Sequence, residues 1–239
     1  MPNPRATARN APTAGPRAES QTDQAYDVLE EQIVTLRLEP GAVLSENRLA
    51  DALGFGRTPI REALQRLARE SLVAILPRKG ILVAEINPRE QLLALEVRRE
   101  LERLMARAGA IRATPEEKAR FLEIAEGMER AARDNDDISF MRFDHELNFL
   151  VSKAAHNEYA SRAMGLLHGM SRRFWYMHYK EAADLPLCAR LHAQLARRIA
   201  AGEPEEAARA SDQLVDYAET FTRATVGAGA LSVGGQRNP

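Results

Sequence analysis

The stretch SENRLADALGFGRTPIREALQRLARESLVAILPRKGILV, residues 45–83, decides the fold of this chain. Its first part predicts a helix that ends at Gly54, a tight turn and a second helix. Its last part predicts two short strands around a basic turn. This order of elements is that of a winged helix-turn-helix, whose second helix enters the major groove of DNA. The stretch therefore predicts a DNA-binding domain.

The second of these helices has two different faces. Its apolar residues recur at helical spacing and point to one side: Ile60, Ala63, Leu64 and Leu67. Arg61 and Gln65 lie on the opposite side, and an arginine in the first turn can bind a guanine edge with two hydrogen bonds. Thr58 is expected to cap the helix with Pro59 as its first residue, and Arg57 and Thr58 should lie beside backbone phosphates.

Charge changes sign along this region. Residues 26–54 carry two basic and six acidic side chains, whereas residues 55–80 carry six basic and two acidic ones. A charged run is usually only a solvated face, but here it coincides with the predicted recognition helix and wing. Arg78 and Lys79 form the tip of the predicted hairpin, from which they could reach a phosphate or the minor groove.

The composition is that of an ordinary globular protein. The 239 residues carry a net charge of −1, with 45% apolar and 28% charged residues. No apolar run is long enough to span a bilayer and no secretory signal is present, which predicts a cytoplasmic location without a membrane partner. Cys188 is the only cysteine, which excludes an intrachain disulfide.

The sequence predicts two domains between disordered ends. We expect a disordered arm over 1–22, a winged helix-turn-helix domain over 23–86, an all-helical effector-binding and dimerisation domain over 89–225 and a disordered tail over 226–239. Asn87-Pro88 is expected to be a short linker. A capping box at Thr114–Glu117 starts one helix of the second domain, and later helices are predicted at 136–155, 157–180, 186–201 and 203–225. The predicted fold class is mainly α, with a bundle of about six helices.

Polar residues on apolar helix faces are the most informative feature of the second domain. Asp144 lies at the edge of a buried stripe, Asn148 follows one turn later, and His178 and His192 lie on the apolar faces of two other helices. A carboxylate turned toward a core needs a cation, a metal or several donors. These groups could surround a polar cavity, although an inward histidine is more often a hydrogen-bonded core residue.

An organic anion in such a cavity would need cationic partners. Arg98 and Arg172 are the candidates, with a surface position as the ordinary alternative for both. Trp175, Tyr176 and Tyr179 could line the cavity or a dimer contact, but core packing is the default interpretation of each.

The first domain resembles the GntR family of bacterial regulators. Its recognition segment RTPxREAL is matched by residues 57–64, and the preceding pattern PG…LxExxLAxxLG is matched between Pro40 and Gly54. The resemblance implies that Arg48, Arg57, Thr58 and Arg61 are the main DNA contacts. It also implies that Gly80 allows close backbone approach at the wing.

The second domain resembles the helical ligand-binding (FCD) domain of the FadR branch of that family, whose pattern DxxFHxxLxxAxxN is approached between Asp144 and Asn157. Many members of that branch bind a divalent metal, such as zinc or nickel, through one Asp and three His, and the metal helps to hold a small carboxylate. Asp144 and His192 match two ligand positions. Asn148 stands where the first histidine is expected, and Leu214 or a neighbour stands where the last is expected. Zinc and nickel favour imidazole over an amide.

Two other histidines could complete a ligand set, although the spacing requires neither. His145 points about 100° away from Asp144 on its helix. His168 is expected to lie off the core face.

Together these features predict a ligand-responsive DNA-binding regulator, most often a repressor in families of this kind. It should bind double-stranded operator DNA as a homodimer, because one small winged domain contacts too few bases for useful specificity. The expected effector is a small organic acid. Two alternatives stay open: an α-helical metal-dependent enzyme with an accessory DNA-binding domain, and a DNA-binding protein without an effector.

Overall fold

The computed structural model describes residues 20–77 and 80–233. The first domain contains the helices and strands α1 (Gln21–Val34), β1 (Val43–Leu44), α2 (Glu46–Leu53), α3 (Arg57–Arg69), β2 (Val73–Leu76) and β3 (Gly80–Val83). The strands form an antiparallel sheet in the order β1-β3-β2, with Ile75 opposite Ile81. This confirms the predicted winged helix-turn-helix.

The core of this domain joins α1 to α3. Leu29 and Ile33 of α1 are fully buried together with Ile60, Leu64 and Leu67 of α3. The apolar face that the sequence assigns to the second helix of the motif is therefore its packing face, and the polar face is left toward solvent.

The turn between α2 and α3 follows the sequence with one difference. Gly54 ends α2 in the left-handed conformation with φ of 73°, as expected. Gly56 is the residue that precedes α3, so Thr58 lies inside the first turn and the prediction that it caps the helix is wrong. The extended backbone of Gly56 performs the role of the cap without a side chain.

Six helices follow in the described part of the chain: α4 (Pro88–Arg112), α5 (Pro115–Arg133), α6 (Asp137–Ala154), α7 (Glu158–Ala182), α8 (Leu185–Ala201) and α9 (Pro204–Val233). The capping box between Thr114 and Glu117 is present. Together with the first domain, these helices confirm the mainly α fold class and the helical bundle. None of the described helices is long and apolar enough to cross a membrane.

The ends of the domains differ in detail from the sequence prediction. Pro88 opens α4 with Asn87 as its N-cap, so these two residues start a helix instead of forming a linker. The capping box of Ser20 and Asp23 brings residues 20–22 of the predicted arm into the start of α1, and residues 1–19 lie outside the described part. Helix α9 continues to Val233, so the predicted tail over 226–239 begins inside a helix, and 234–239 lie outside the description.

Helix α7 is the part of the second domain that packs against α1 of the first. Arg173 is almost completely buried and donates hydrogen bonds to the carbonyl oxygens of Ala84 (2.8 Å) and Glu85 (3.0 Å). The segment between β3 and α4 is therefore fastened to α7 by two hydrogen bonds from a charged group.

Candidate DNA interface and effector cavity

The predicted DNA contacts of the first domain lie on one exposed part of α2 and α3. All five predicted residues on these helices have exposed side chains: Arg48, Arg57, Thr58, Arg61 and Gln65. Gly80 begins β3 with φ of 94°, which favours glycine at this end of the wing. Arg78 and Lys79 lie outside the described residues.

Arg61 already has a partner within the domain. Its Nη2 lies 2.9 Å and its Nε 3.1 Å from Oε2 of Glu46, in the first turn of α2. Hydrogen bonding and the charge of Glu46 raise the pKa of Arg61, and the pair is exposed to water. Glu46 therefore orients Arg61. This contact was not predictable from the sequence, because no short-range pattern links positions 46 and 61.

The helical bundle encloses a cavity of about 80 Å³ between α4, α6, α7, α8 and α9. Its polar lining consists of Gln91, Arg98, Glu102, Asp144, Asn148, His168, Ser171, Arg172 and His192. Aromatic side chains complete the wall, among them Phe140, Trp175 and Tyr217. Five of the six predicted effector-binding residues thus surround one space.

His178 is the predicted residue that does not line the cavity. Its ring packs against Phe174, with 4.8 Å between the ring centres. His168 lines the cavity instead, so the expectation that it lies off the core face is wrong. It follows the buried Met164 by one helical turn and precedes Ser171, and this i, i+4, i+7 row was the signal that could have identified it.

His168 is a neutral group in this cavity. Burial, together with the positive charge of Arg98, lowers the pKa of His168 to about 3. At neutral pH the imidazole is therefore uncharged, and it can offer a ligand either a donor or an acceptor nitrogen.

Asp144 and His192 form a buried ion pair. The Nε2 atom of His192 lies 2.9 Å from Oδ1 of Asp144, and its Nδ1 lies 2.7 Å from the carbonyl oxygen of Cys188. Although burial opposes the charge, the neighbouring Cys188 and Asp144 raise the pKa of His192 well above its usual value. Burial also opposes ionisation of Asp144, but the hydrogen bond from His192 lowers the pKa of that carboxyl group. With an acceptor at each ring nitrogen, His192 is an imidazolium.

This arrangement does not fit a zinc or nickel site. His192 directs both nitrogens at other acceptors, and the amide of Asn148 donates to Asp144 over 3.3 Å. Leu214, which with its neighbours is expected near the last histidine position that the resemblance implies, lines the cavity with an apolar side chain. Across residues 20–77 and 80–233, no three His, Cys, Asp or Glu side chains are grouped closely enough to hold a metal ion.

Both predicted arginines lie largely buried at the cavity, not on the surface. Arg98 forms an ion pair with Glu102, with 2.5 Å between Nη2 and Oε1. The Nη1 atom of Arg172 lies 2.7 Å from Oε1 of Glu30 in α1. Glu102 and Glu30 were missed, Glu30 because its helix is in the other domain.

Two buried donors at the cavity have no acceptor among the described atoms. They are Nε of Arg172 and Nε1 of Trp175, whose ring stacks on Tyr179. Trp175 lines the cavity, whereas Tyr176 and Tyr179 do not. Buried N–H groups normally have a partner, so these two donors are available to an acceptor in the cavity.

Comparison with known proteins matches two parts of the chain to known families. Residues 21–83 match the family described as bacterial regulatory proteins, gntR family, and residues 93–217 match the FCD domain. An uncharacterised HTH-type transcriptional regulator of Streptomyces ambofaciens is 31% identical over 66% of this chain and 72% of its own length. The HTH-type transcriptional repressor RspR of Escherichia coli K12 is 25% identical over 80% of this chain and 83% of its own.

Solved structures share the fold at lower identity. The structure of E. coli McbR/YncC matches with a TM-score of 0.74 and 21% identity, over 87% of this chain and 99% of the other. The relatives matched by sequence are transcriptional regulators and not enzymes, which removes the enzyme alternative. The winged domain, the helical bundle and the two family matches together establish that this chain is a DNA-binding transcriptional regulator of the GntR family with an FCD domain.

Proposed function

We propose that this regulator binds operator DNA as a homodimer and responds to a compact carboxylate held in the cavity of its helical domain. The observation that carries the effector is the pair of buried donors without acceptors, Nε of Arg172 and Nε1 of Trp175. A carboxylate supplies the missing acceptors and matches the fork of an arginine.

The volume and the polar lining of the cavity define the proposed class of effector. A volume of about 80 Å³ admits an acid of a few heavy atoms. Arg98 and Arg172 line the cavity while they pair with Glu102 and Glu30, so they offer guanidinium donors without a surplus of positive charge. The neutral His168 adds a hydrogen-bonding group. We therefore propose small mono- and dicarboxylates, held by arginines without a zinc or nickel ion.

The dimer is proposed to form through the outer face of α4. Four apolar side chains on this face are exposed and lie within about 40° of one another around the helix: Leu93, Val97, Leu104 and Ile111. Glu100 and Arg107 flank Leu104 on the same side. In an antiparallel pair about a twofold axis near Leu104, Glu100 of one copy lies opposite Arg107 of the other, so the face is complementary to itself.

The proposal that this protein represses transcription is based on the name of a relative. RspR is named a transcriptional repressor, and we propose the same role in the cytoplasm for this chain. The effector then causes release of DNA if it binds more tightly to the conformation that has the lower affinity for DNA.

A thermal-shift screen tests the effector site. Acetate, glyoxylate, pyruvate and malonate are added to the purified protein before and after chelation of metals. A carboxylate at 100 times its Kd stabilises the wild type by about 2.7 kcal/mol. We expect this shift to survive chelation and to disappear in R98Q.

Three results would contradict parts of this proposal. A shift lost on chelation would restore a metal-assisted site, and a shift retained in R98Q would place binding elsewhere. No shift with any of the acids would favour the regulator without an effector, whose buried charges serve only to pair with one another.

A further inference from the structure

One segment of α7 faces both the cavity and the DNA-binding domain. His168, Ser171 and Arg172 line the cavity. On the other side, the Cα of Gly169 lies so close to Leu72 of the winged domain that a Cβ there would come within 2.7 Å of its side chain. Arg173 holds the connecting segment. The segment 168–173 is thus the wall between the two domains.

Arg172 is the residue of this segment that contacts both the cavity and the winged domain. It lines the cavity, while its Nη1 donates to Glu30 of α1 over 2.7 Å. The side chains of Arg172 and Glu30 are only 17% and 12% exposed, and Nε of Arg172 is buried without an acceptor. The guanidinium therefore has one donor occupied by the DNA-binding domain and another left for a cavity ligand.

Glu30 depends on this arginine. Burial raises the pKa of Glu30, and the charge and hydrogen bond of Arg172 oppose this rise by favouring the carboxylate form. A buried carboxylate whose only described cation is taken by another anion is strongly destabilised.

Helix α1 is joined to the recognition helix. Tyr26 of α1 donates a 2.6 Å hydrogen bond to Glu70 at the end of α3, and the guanidinium of Arg66 lies 3.6 Å from the centre of the Tyr26 ring. With the shared apolar core, these contacts hold α1 against α3.

Resting on the proposed function, we propose that Arg172 is shared between Glu30 and the carboxylate in the cavity, so that effector binding weakens the contact between α1 and α7. Two carboxylates on one buried guanidinium leave a net negative charge at the domain boundary, and the carboxylate that can leave is Glu30, which the winged domain carries. The connecting segment stays fastened by Arg173 and acts as the pivot. The orientation of α3 relative to the helical domain is thereby linked to occupancy of the cavity.

The test measures malonate binding to the full chain through the fluorescence of Trp175, the only tryptophan. By linkage, removing the competing charge in E30Q should tighten malonate binding by about fivefold or more. E31Q makes the same change at the next, exposed position of α1 and should bind malonate as the wild type does. R172Q should lose binding.

Hydrogen exchange gives a second measurement on the same proteins. Malonate should speed exchange of the α1 amides in the wild type and in E31Q. In E30Q exchange should already be fast without malonate and should change little when it is added. Circular dichroism checks that each variant keeps its helices.

The outcomes separate this inference from the proposed function. Equal malonate affinity in E30Q and the wild type, with loss in R172Q, would overturn the shared arginine and leave the effector site standing. If no compact carboxylate alters Trp175 fluorescence in any variant, the proposed function fails and the inference fails with it.

Discussion

At the scale of single residues, Arg61, which is predicted to read a base, is held by a partner within its own domain. Glu46 binds its guanidinium on the exposed surface between α2 and α3. Replacing Arg61 with alanine should weaken operator binding by about 1–3 kcal/mol, because a bidentate contact with guanine is lost, and should affect a random duplex far less. Fluorescence anisotropy at one fixed salt concentration measures both.

The matched variant E46Q frees the same arginine without removing it. We expect E46Q to keep or to raise operator affinity, since no internal ion pair has to be broken. An equal loss on operator and random DNA in R61A would show that Arg61 contacts only phosphate.

His168 makes stability depend on pH in a predictable direction. Its pKa is about 3 in the folded protein and near 6.5 in the unfolded chain, so the unfolded state binds more protons between these values. Stability is therefore lost as pH falls below 6.5. Between pH 7 and pH 5 the wild type should lose about 2 kcal/mol more than H168Q, measured by urea unfolding. Parallel losses in the two proteins would mean that His168 is solvated.

Much of the residue-level site followed from helical spacing, and the rest had no local signal. The positions of Asp144, Asn148 and His192 were predictable because one helix face must be buried. Glu30 and Glu102 were not, because a surface carboxylate and a buried one look alike until the helices are packed. Arg172 was predicted as a candidate anion ligand, but its partner Glu30 lies 142 residues away in the chain and could not be predicted.

At the scale of helices and strands, Gly169 of α7 lies where the two domains touch. A Cβ at Gly169 would lie 2.7 Å from Leu72, which is fully buried, whereas a Cβ at Gly165, one turn earlier, would meet nothing within 4 Å. G169A should therefore cost about 1–3 kcal/mol through overpacking. G165A should instead raise the free energy of unfolding by as much as about 1 kcal/mol, because alanine favours a helix more than glycine does.

The free energy of unfolding in urea measures both alanine variants. Equal free energies of unfolding for G169A and G165A would show that Leu72 can move away from the added Cβ without destabilising the protein. The helices themselves were predictable from apolar periodicity and caps, such as the box at Thr114. The glycine contact was not, because it depends on how two domains meet.

At the scale of the whole molecule, the proposed dimer through the outer face of α4 would allow two DNA-binding domains to act together. Leu104 lies at the centre of its apolar row and is 47% exposed. A glutamate there would place two negative charges against each other across the proposed twofold axis. L104E should therefore be monomeric at concentrations where the wild type is a dimer, as measured by light scattering after size exclusion.

Leu166 on α7 supplies the matched control, since it has the same side chain and is 49% exposed. L166E should stay dimeric and bind the operator normally. L104E should lose about 100-fold or more in operator affinity, because the second half-site is no longer bound within the same complex. A dimeric L104E would place the interface on another face. A monomeric wild type that still binds one operator with high affinity would remove the need for the dimer.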